Sequence, residues 1–382
     1  MRIYADHAAT TPMCEASIAA MTECMKNCYG NPSAIYQSGI MAKKALQKAR
    51  EIISDGLGAD ANEIVFTSGG SESDNQAIIS AASYGEGSGK KHIITTAIEH
   101  HAVLNTVKSL RAKGFDITFL NVSPDGIVNV SELKKAMRED TCLVSVMYAN
   151  NEIGTIQPIS EIGALCREKG ILFHTDAVQA AGHIPINVIT DKVDYLALSA
   201  HKFGGPKGVG ALYIRNGAPV SSLICGGGQE GGKRAGTENV PGITGMAAAF
   251  ESSLKNLDED MKRITDLRNT LIDGLSKIPG AVLNGNRSNR VPGIVNFSFE
   301  GVRSAPLLFL LDAKEGIAVS SGSACNTGSV LPSHVLSAIG CSKDMANGAL
   351  RISLGTENTK EDVLEIISAV SRSIEYLKSK NK

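Results

Sequence analysis

The sequence predicts an α/β fold: a mainly parallel seven-stranded sheet flanked by helices, followed by a smaller α+β domain. Three observations predict it. Seven short runs, at residues 64–67, 92–96, 117–122, 143–148, 171–176, 195–199 and 210–214, are mostly continuous in apolar and β-branched residues, as strands buried on both faces are. Amphipathic helical patterns separate them, which suits right-handed crossovers. Glycine pairs and triplets at 69–70, 204–205, 226–228 and 231–232 mark places where backbone turns sharply or approaches a ligand.

The elements follow in order. The extended start at 3–5 is expected to cross over and join the second domain. Within the sheet region, Ser160 reads as the N-cap of a helix whose apolar face holds Ile162, Leu165 and Cys166 and which ends at Gly170. From 242 to 278 the pattern becomes one long charged helix, with Asp260, Lys262, Arg263, Asp266 and Arg268 on its wet face. Beyond it come a strand at 294–299, a helix at 305–311, strands at 317–320 and 350–354, and a helix at 360–377. A length of 382 residues fits two domains. The expected division is a large domain at 16–255 and a small domain made of 1–15 and 256–382.

Charge and composition exclude several functions. The chain carries 38 Lys+Arg against 39 Asp+Glu, a formal net charge of −1, so it lacks the basic excess that nucleic-acid binding requires. No apolar run reaches the roughly 18 residues that span a bilayer, and the first residues lack an apolar signal core. A cytoplasmic protein is expected, with its eight scattered cysteines reduced. Cys24 and Cys28 lie four apart on one helix face, where core packing is favoured over a metal.

Reactive side chains gather at the strand ends. Ser199-Ala200-His201-Lys202 closes the 195–199 strand and runs into Gly204-Gly205-Pro206, at the strand end where open α/β sheets bind ligands. A lysine there forms a Schiff base with a carbonyl cofactor when partly desolvated; a solvated loop lysine is the competing reading. Asp176, ending the 171–176 strand, is a buried carboxylate that a cationic ring nitrogen would offset, as in pyridoxal 5′-phosphate (PLP) enzymes. It reads equally as a helix N-cap. Gln179 is within one turn of it. The 67–75 segment turns from strand to helix through Gly69-Gly70-Ser71, exposing backbone N–H groups to an anion, although a plain capping turn has the same pattern. His100, beyond the 92–96 strand, could cover a planar cofactor and carry a proton. Its neighbour His101 faces elsewhere, which argues against a shared zinc. Finally, Cys325 sits in a small polar loop, 320–329, as a mobile thiol does.

Taken in this order, the motifs resemble the aspartate-aminotransferase-type (fold type I) PLP transferases, and specifically their class V branch. With Cys325 added, the chain is similar from end to end to the NifS/IscS-like cysteine desulfurases. The similarity runs through 4–11, 30–33, 67–75, 150–154, 174–179, 199–210, 234–237 and 320–325, followed by 332–336.

The resemblance implies conversion of L-cysteine to L-alanine, with the sulfur passed to Cys325 as a persulfide. Lys202 would hold PLP, Asp176 its ring nitrogen and Gln179 its ring hydroxyl, with His100 stacked on the ring. Gly70, Ser71, Ser199 and His201 would bind the phosphate, joined by Thr237 from the second subunit of a homodimer. Asn151 would sit near the cofactor and substrate, and Arg351 would pair with the substrate carboxylate, assisted by Asn31. Lys202, His100 and Cys325 are the catalytic residues on this reading. Partners would be L-cysteine and a sulfur-acceptor protein for iron–sulfur cluster assembly, tRNA thiolation or cofactor thiolation, with no nucleic acid, membrane or metal. Three positions depart from the family pattern: His7 replaces a common Asn, Ser71 a usual Thr, and Tyr36 a frequent His. The rivals are a selenocysteine lyase, a class V transaminase and an idle docking scaffold.

Overall fold

The computed structural model describes residues 2–322 and 332–380. After β1 (Ile3–Tyr4), seven strands follow: β2 (Ile64–Thr67), β3 (His92–Thr96), β4 (Asp116–Leu120), β5 (Thr141–Ser145), β6 (Leu172–Asp176), β7 (Tyr195–Ser199) and β8 (Gly210–Ile214). They form one sheet in the order β2-β8-β7-β6-β5-β3-β4. The pairs from β7 across to β4 are parallel, and β8 runs antiparallel to both its neighbours. The seven apolar runs are therefore these strands, and the sheet is mainly parallel as predicted. The run expected at 143–148 leaves the sheet early, since β5 ends at Ser145. Its extension still donates Val146 N–H to His174 O (3.1 Å) and Tyr148 N–H to Asp176 O (2.8 Å), guiding the chain towards the strand ends.

Apolar clusters fill the space on the sheet faces. One joins Ile53, Phe66, Val144, Phe173, Leu198 and Phe250, and another joins Val65, Ile78, Ile93, Val107 and Leu143. Cys24 packs with Ala42 and Val240, and Cys28 lies against that cluster, the core placement favoured above.

The rest of the chain builds smaller sheets. Strands β9 (Ala281–Leu283), β10 (Ile294–Phe299) and β12 (Ala349–Ser353) form an antiparallel sheet in the order β12-β10-β9. Strand β11 (Ile317–Ala318) pairs in parallel with β1, so the N-terminus does cross over. Its Ala5 is buried with Leu271, Phe297, Leu311, Ile352 and Ile366 in a separate cluster.

Three expectations need correction. Arg268, expected on the wet face, is 4% exposed, its guanidinium donating to Asn269 Oδ1 (3.0 Å) and to the Arg290 and Val291 carbonyls (3.4 Å each). The long helix at 242–278 is two helices, Val240–Lys255 and Leu257–Leu275. Asn256, at φ −108° and ψ 9°, breaks the run, and Asp258, Glu259 and Asp260 then supply the acidic first turn that a fresh N-terminus favours. Pro158, not Ser160, occupies the N-cap position of helix Ile159–Lys169, which has no side-chain cap. The Ser160 hydroxyl instead donates to Asp191 Oδ1 (2.5 Å). Gly170 ends that helix in the left-handed conformation (φ 63°), as predicted.

Candidate active site

Because β2, β3, β6 and β7 run the same way, their carboxyl ends meet on one edge of the sheet. A cavity of about 370 Å³ opens there. Lys202, Asp176, Gln179, His100, Gly70, Ser71, Asn151, Ser199, His201 and Arg351 all line it. Asn31 and Thr237 are exposed and lie away from it. Cys325 falls outside the described residues; Gly322, three positions before it, borders the cavity.

Lys202 ends a one-turn helix, Ala200–Lys202, directly after β7. Its ammonium donates to Ala8 O (2.6 Å) and Ala9 O (2.8 Å). Gln179 Nε2 also donates to Ala8 O, at 2.9 Å. The crossing N-terminal segment thus closes one side of the site, a contribution the strand pattern alone does not reveal. The Lys202 carbonyl lies 2.9 Å from His183 Nε2. His201 Nδ1 is 3.1 Å from Thr10 Oγ1, and burial with the Lys202 and Lys207 charges pushes the His201 imidazole down to about 4.

Asp176 is buried at the end of β6, and its Oδ1 accepts the Val178 N–H (2.9 Å). It therefore caps a turn and not a helix. Burial raises its carboxyl, an effect opposed by His100, the Val178 N–H and Lys202. His100 is the N-cap of helix His101–Arg111, its Nδ1 accepting from Ala102 N–H (3.2 Å). His101 turns aside and meets the His334 ring edge-on at 4.8 Å. Asp74, which the sequence reading passed over, is 1% exposed and lines the same cavity. One ligand atom each from Asp74, His100 and Asp176 lie within 4.8 Å of one another.

Where Gly70 and Ser71 line the cavity, Gly69 (φ 152°) precedes the first turn of helix Gly70–Gly87. A side chain at Gly70 would bring its Cβ within 2.6 Å of Val178 Cγ2, and one at Gly210 would meet Leu198 O at 2.5 Å and Gly69 Cα at 2.6 Å. The backbone is thus held close around free N–H groups, next to the buried Ser199. Arg351, 3% exposed, donates from Nη1 to Asn151 O (2.9 Å) and from Nη2 to Asp6 Oδ1 (2.8 Å). Asn151 is positioned by its neighbour Asn150, whose buried side chain bonds Ile98 O and the Glu152 and Ile153 N–H groups.

This donor set fits PLP. Two adjoining buried carboxyls call for a cation, which a protonated ring nitrogen provides. The helix start with Ser71, Ser199 and His201 suits a phosphate, and Lys202 presents an amine to the same cavity.

Residues 3–366 match the aminotransferase class-V family. A protein named cysteine desulfurase IscS from Methanosarcina thermophila is 50% identical over 377 residues, covering 99% of this chain and 93% of the relative. A solved structure described as a NifS-like protein superposes with a TM-score of 0.92 at 41% identity, covering 98% of this chain and all of the other. The structure of SspA in complex with cysteine gives 0.82 at 37% identity, over 93% of this chain and 99% of that one. The fold is that of the fold-type I transferases, and the chain belongs to the aminotransferase class-V family.

Proposed function

We propose that this chain is a PLP-dependent cysteine desulfurase that converts L-cysteine to L-alanine and receives the sulfur on Cys325. The observation that carries the reading is the convergence of the Lys202 amine, the buried Asp176 carboxyl and the Arg351 guanidinium on one cavity. The relatives named cysteine desulfurase support it, as does the cysteine bound by SspA.

Lys202 would hold the cofactor, Asp176 its ring nitrogen, Gln179 its ring hydroxyl, and His100 its ring face. Gly70, Ser71, Ser199 and His201 would hold its phosphate, with Thr237 contributed by a second subunit. When bound, PLP supplies an electron sink for negative charge at the substrate Cα. Arg351 orients the substrate through its carboxylate, with Asn151 and Asn31 assisting. Lys202 Nζ, once deprotonated, takes the Cα proton. His100 carries the substrate thiol proton. The Cys325 thiolate then bonds to the substrate sulfur as the carbon–sulfur bond breaks, and protonation of the carbon completes alanine. A persulfide remains on Cys325 for an acceptor protein.

The two-lobe division, 16–255 against 1–15 with 256–382, belongs to this reading and is supported by the separate apolar clusters. A homodimer is supported by Tyr29, Ile35 and Tyr36, exposed between helices Glu15–Asn27 and Gln37–Leu57. The described cysteines are all unpaired, which suits a cytoplasmic setting. No helix among the described residues is long and apolar enough to cross a membrane.

The test is to incubate purified PLP-loaded protein with L-cysteine, quantify alanine and sulfide, and locate the persulfide by peptide mass. Alanine with a persulfide on Cys325, both lost in Cys325→Ser, is expected. A keto acid in place of alanine, or undiminished turnover by Cys325→Ser, overturns the reading.

A further inference from the structure

Asp74 has no part in the roles assigned above, yet it is one of the most deeply buried charged residues in the molecule. It sits in the second turn of helix Gly70–Gly87 with 1% of its surface exposed. Its Oδ1 lies 3.3 Å from Nε2 of His174, a side chain with no exposure at all. Neither atom has a hydrogen-bond partner among the described residues, so the 3.3 Å approach is a close contact of two unsatisfied buried polar atoms, not a formed hydrogen bond. The far nitrogen of the same ring, Nδ1, is 2.8 Å from Ser145 Oγ. Ser145, His174 and Asp74 therefore form a buried row that ends beside Asp176.

The charges facing Asp74 decide where a proton rests. From β6 it meets Asp176 and His174; from the segment after β3 it meets Glu99 and His100; from the turn after β7 it shares the cavity with Lys202. Asp176 has the Val178 N–H, Lys202 and His100 to support a negative charge. Asp74 faces two other acids and an imidazole that burial holds down at about 3. Two carboxylates this close in a dry site cannot both remain ionised without a large cost. We propose that Asp74 is a positioning residue that shares one proton with His174 and so leaves Asp176 the only ionised carboxylate of the pair. In this arrangement the Asp74 hydroxyl donates to His174 Nε2, and His174 Nδ1–H donates to Ser145 Oγ. The row then fixes the Asp74 side chain and matches one negative charge to the one cationic ring nitrogen. The inference rests on the PLP reading above for its purpose, but its proton can be observed without the cofactor.

The first experiment is infrared spectroscopy of the cofactor-free full chain carrying carboxyl-13C aspartate, at pH 7. A protonated carboxylic-acid carbonyl band shifted by the label is expected, and Asp74→Asn should abolish it. The label separates this band from that of Glu99, another buried acid. Absence of the band in the unsubstituted chain overturns the proposal whether or not the variant folds, as does its survival in Asp74→Asn. The second experiment titrates the visible cofactor band of the loaded protein. Asp74→Asn, which keeps shape and neutrality, should titrate within about 0.3 pH unit of the unsubstituted protein. A downward move of more than about one unit, the effect of deleting a nearby negative charge, overturns the proposal. If the unsubstituted protein shows no visible band with PLP, the cofactor reading fails while the infrared result stands on its own.

Discussion

Arg351 Nη2 donates to Asp6 Oδ1 at 2.8 Å, joining residues 345 positions apart in the chain. A guanidinium that is 3% exposed and lines the cavity is thereby supplied with a carboxylate partner from the N-terminal segment. Asp6 is thus both its charge partner and a competitor for it. Asp6→Asn should lower KM for L-cysteine several-fold. It should also destabilise the protein by about 1–3 kcal/mol, because the partly exposed pair loses only part of a buried pair's coupling. Arg351→Lys loses the planar fork and should raise KM by about 10–100-fold with less effect on kcat. Steady-state kinetics and urea unfolding check both; an unchanged KM in Arg351→Lys would remove Arg351 from substrate binding.

Lys202 and Gln179 meet at one acceptor, the Ala8 carbonyl. The lysine must leave that carbonyl to act as a base, whereas the glutamine can remain and hold the N-terminal segment in place. Lys202→Ala should show no covalently held visible cofactor band and lose alanine formation by about 10²–10⁴-fold. Gln179→Ala should keep the band but release cofactor faster on dialysis. Absorbance and alanine assays separate the two; a normal band in Lys202→Ala would end the claim that this amine holds the cofactor.

How legible the site is depends on whether each residue announces itself locally. Lys202, Asp176 and His100 follow apolar runs that can only be strands, so their shared edge can be read from the sequence. Asp74 is hidden in a polar helix start, and its burial depends on His174 from a different strand. The Asp6–Arg351 pair joins the two ends of the chain and has no local signature. The same limit explains the helix break at Asn256: the apolar and charged periodicity continues across a one-residue kink that only the backbone angles show. Ser160 fails as a cap because the distant Asp191 claims its hydroxyl.

Glu99 should leave a mark on stability. Its buried carboxyl is pushed up to about 8 by desolvation, although Oε1 accepts from Thr96 Oγ1 (2.7 Å) and Met147 N–H (3.0 Å). The folded state keeps a proton that the unfolded chain releases above its ordinary value of 4.5, so this group lowers stability as pH rises from about 4.5 to 8. His174 and His201, held down at about 3 and about 4, act oppositely: the unfolded chain binds their protons first, so they raise stability with pH up to about 6.5. The terms oppose each other below about 6.5, and above it Glu99 acts without the histidines. Glu99 should therefore contribute a fall of about 1.4 kcal/mol per pH unit between about 6.5 and 8, beside the fall from the raised Asp74 carboxyl. Glu99→Gln, which keeps the Oε1 acceptor, should flatten that fall. Urea midpoints across this window check it; an equal slope in the variant would rule out Glu99 as the cause.

The last prediction concerns the glycine-rich segment around residue 230, which does not line the cavity. Glu230 holds a left-handed conformation (φ 50°) that a non-glycine residue adopts at a cost. Its side chain, 2% exposed, receives both Arg50 guanidinium nitrogens (2.8 and 2.7 Å) and the Phe66 N–H (2.9 Å). The segment is thereby tied to β2, the strand that leads into the Gly69-Gly70 turn. A few residues on, Arg234 Nε donates to Glu72 Oε1 (2.9 Å) in the first turn of helix Gly70–Gly87. Glu230→Ala leaves Arg50 charged and largely buried, which should cost about 3–5 kcal/mol. Arg50→Ala combined with Glu230→Ala should recover part of that loss, since the second change removes the stranded charge. The single variant should also exchange amide hydrogens faster over 226–236 and retain phosphate-bearing cofactor less well. If the double variant is no more stable than the single one, the loss comes from the Phe66 N–H and the segment backbone, and not from the buried ion pair.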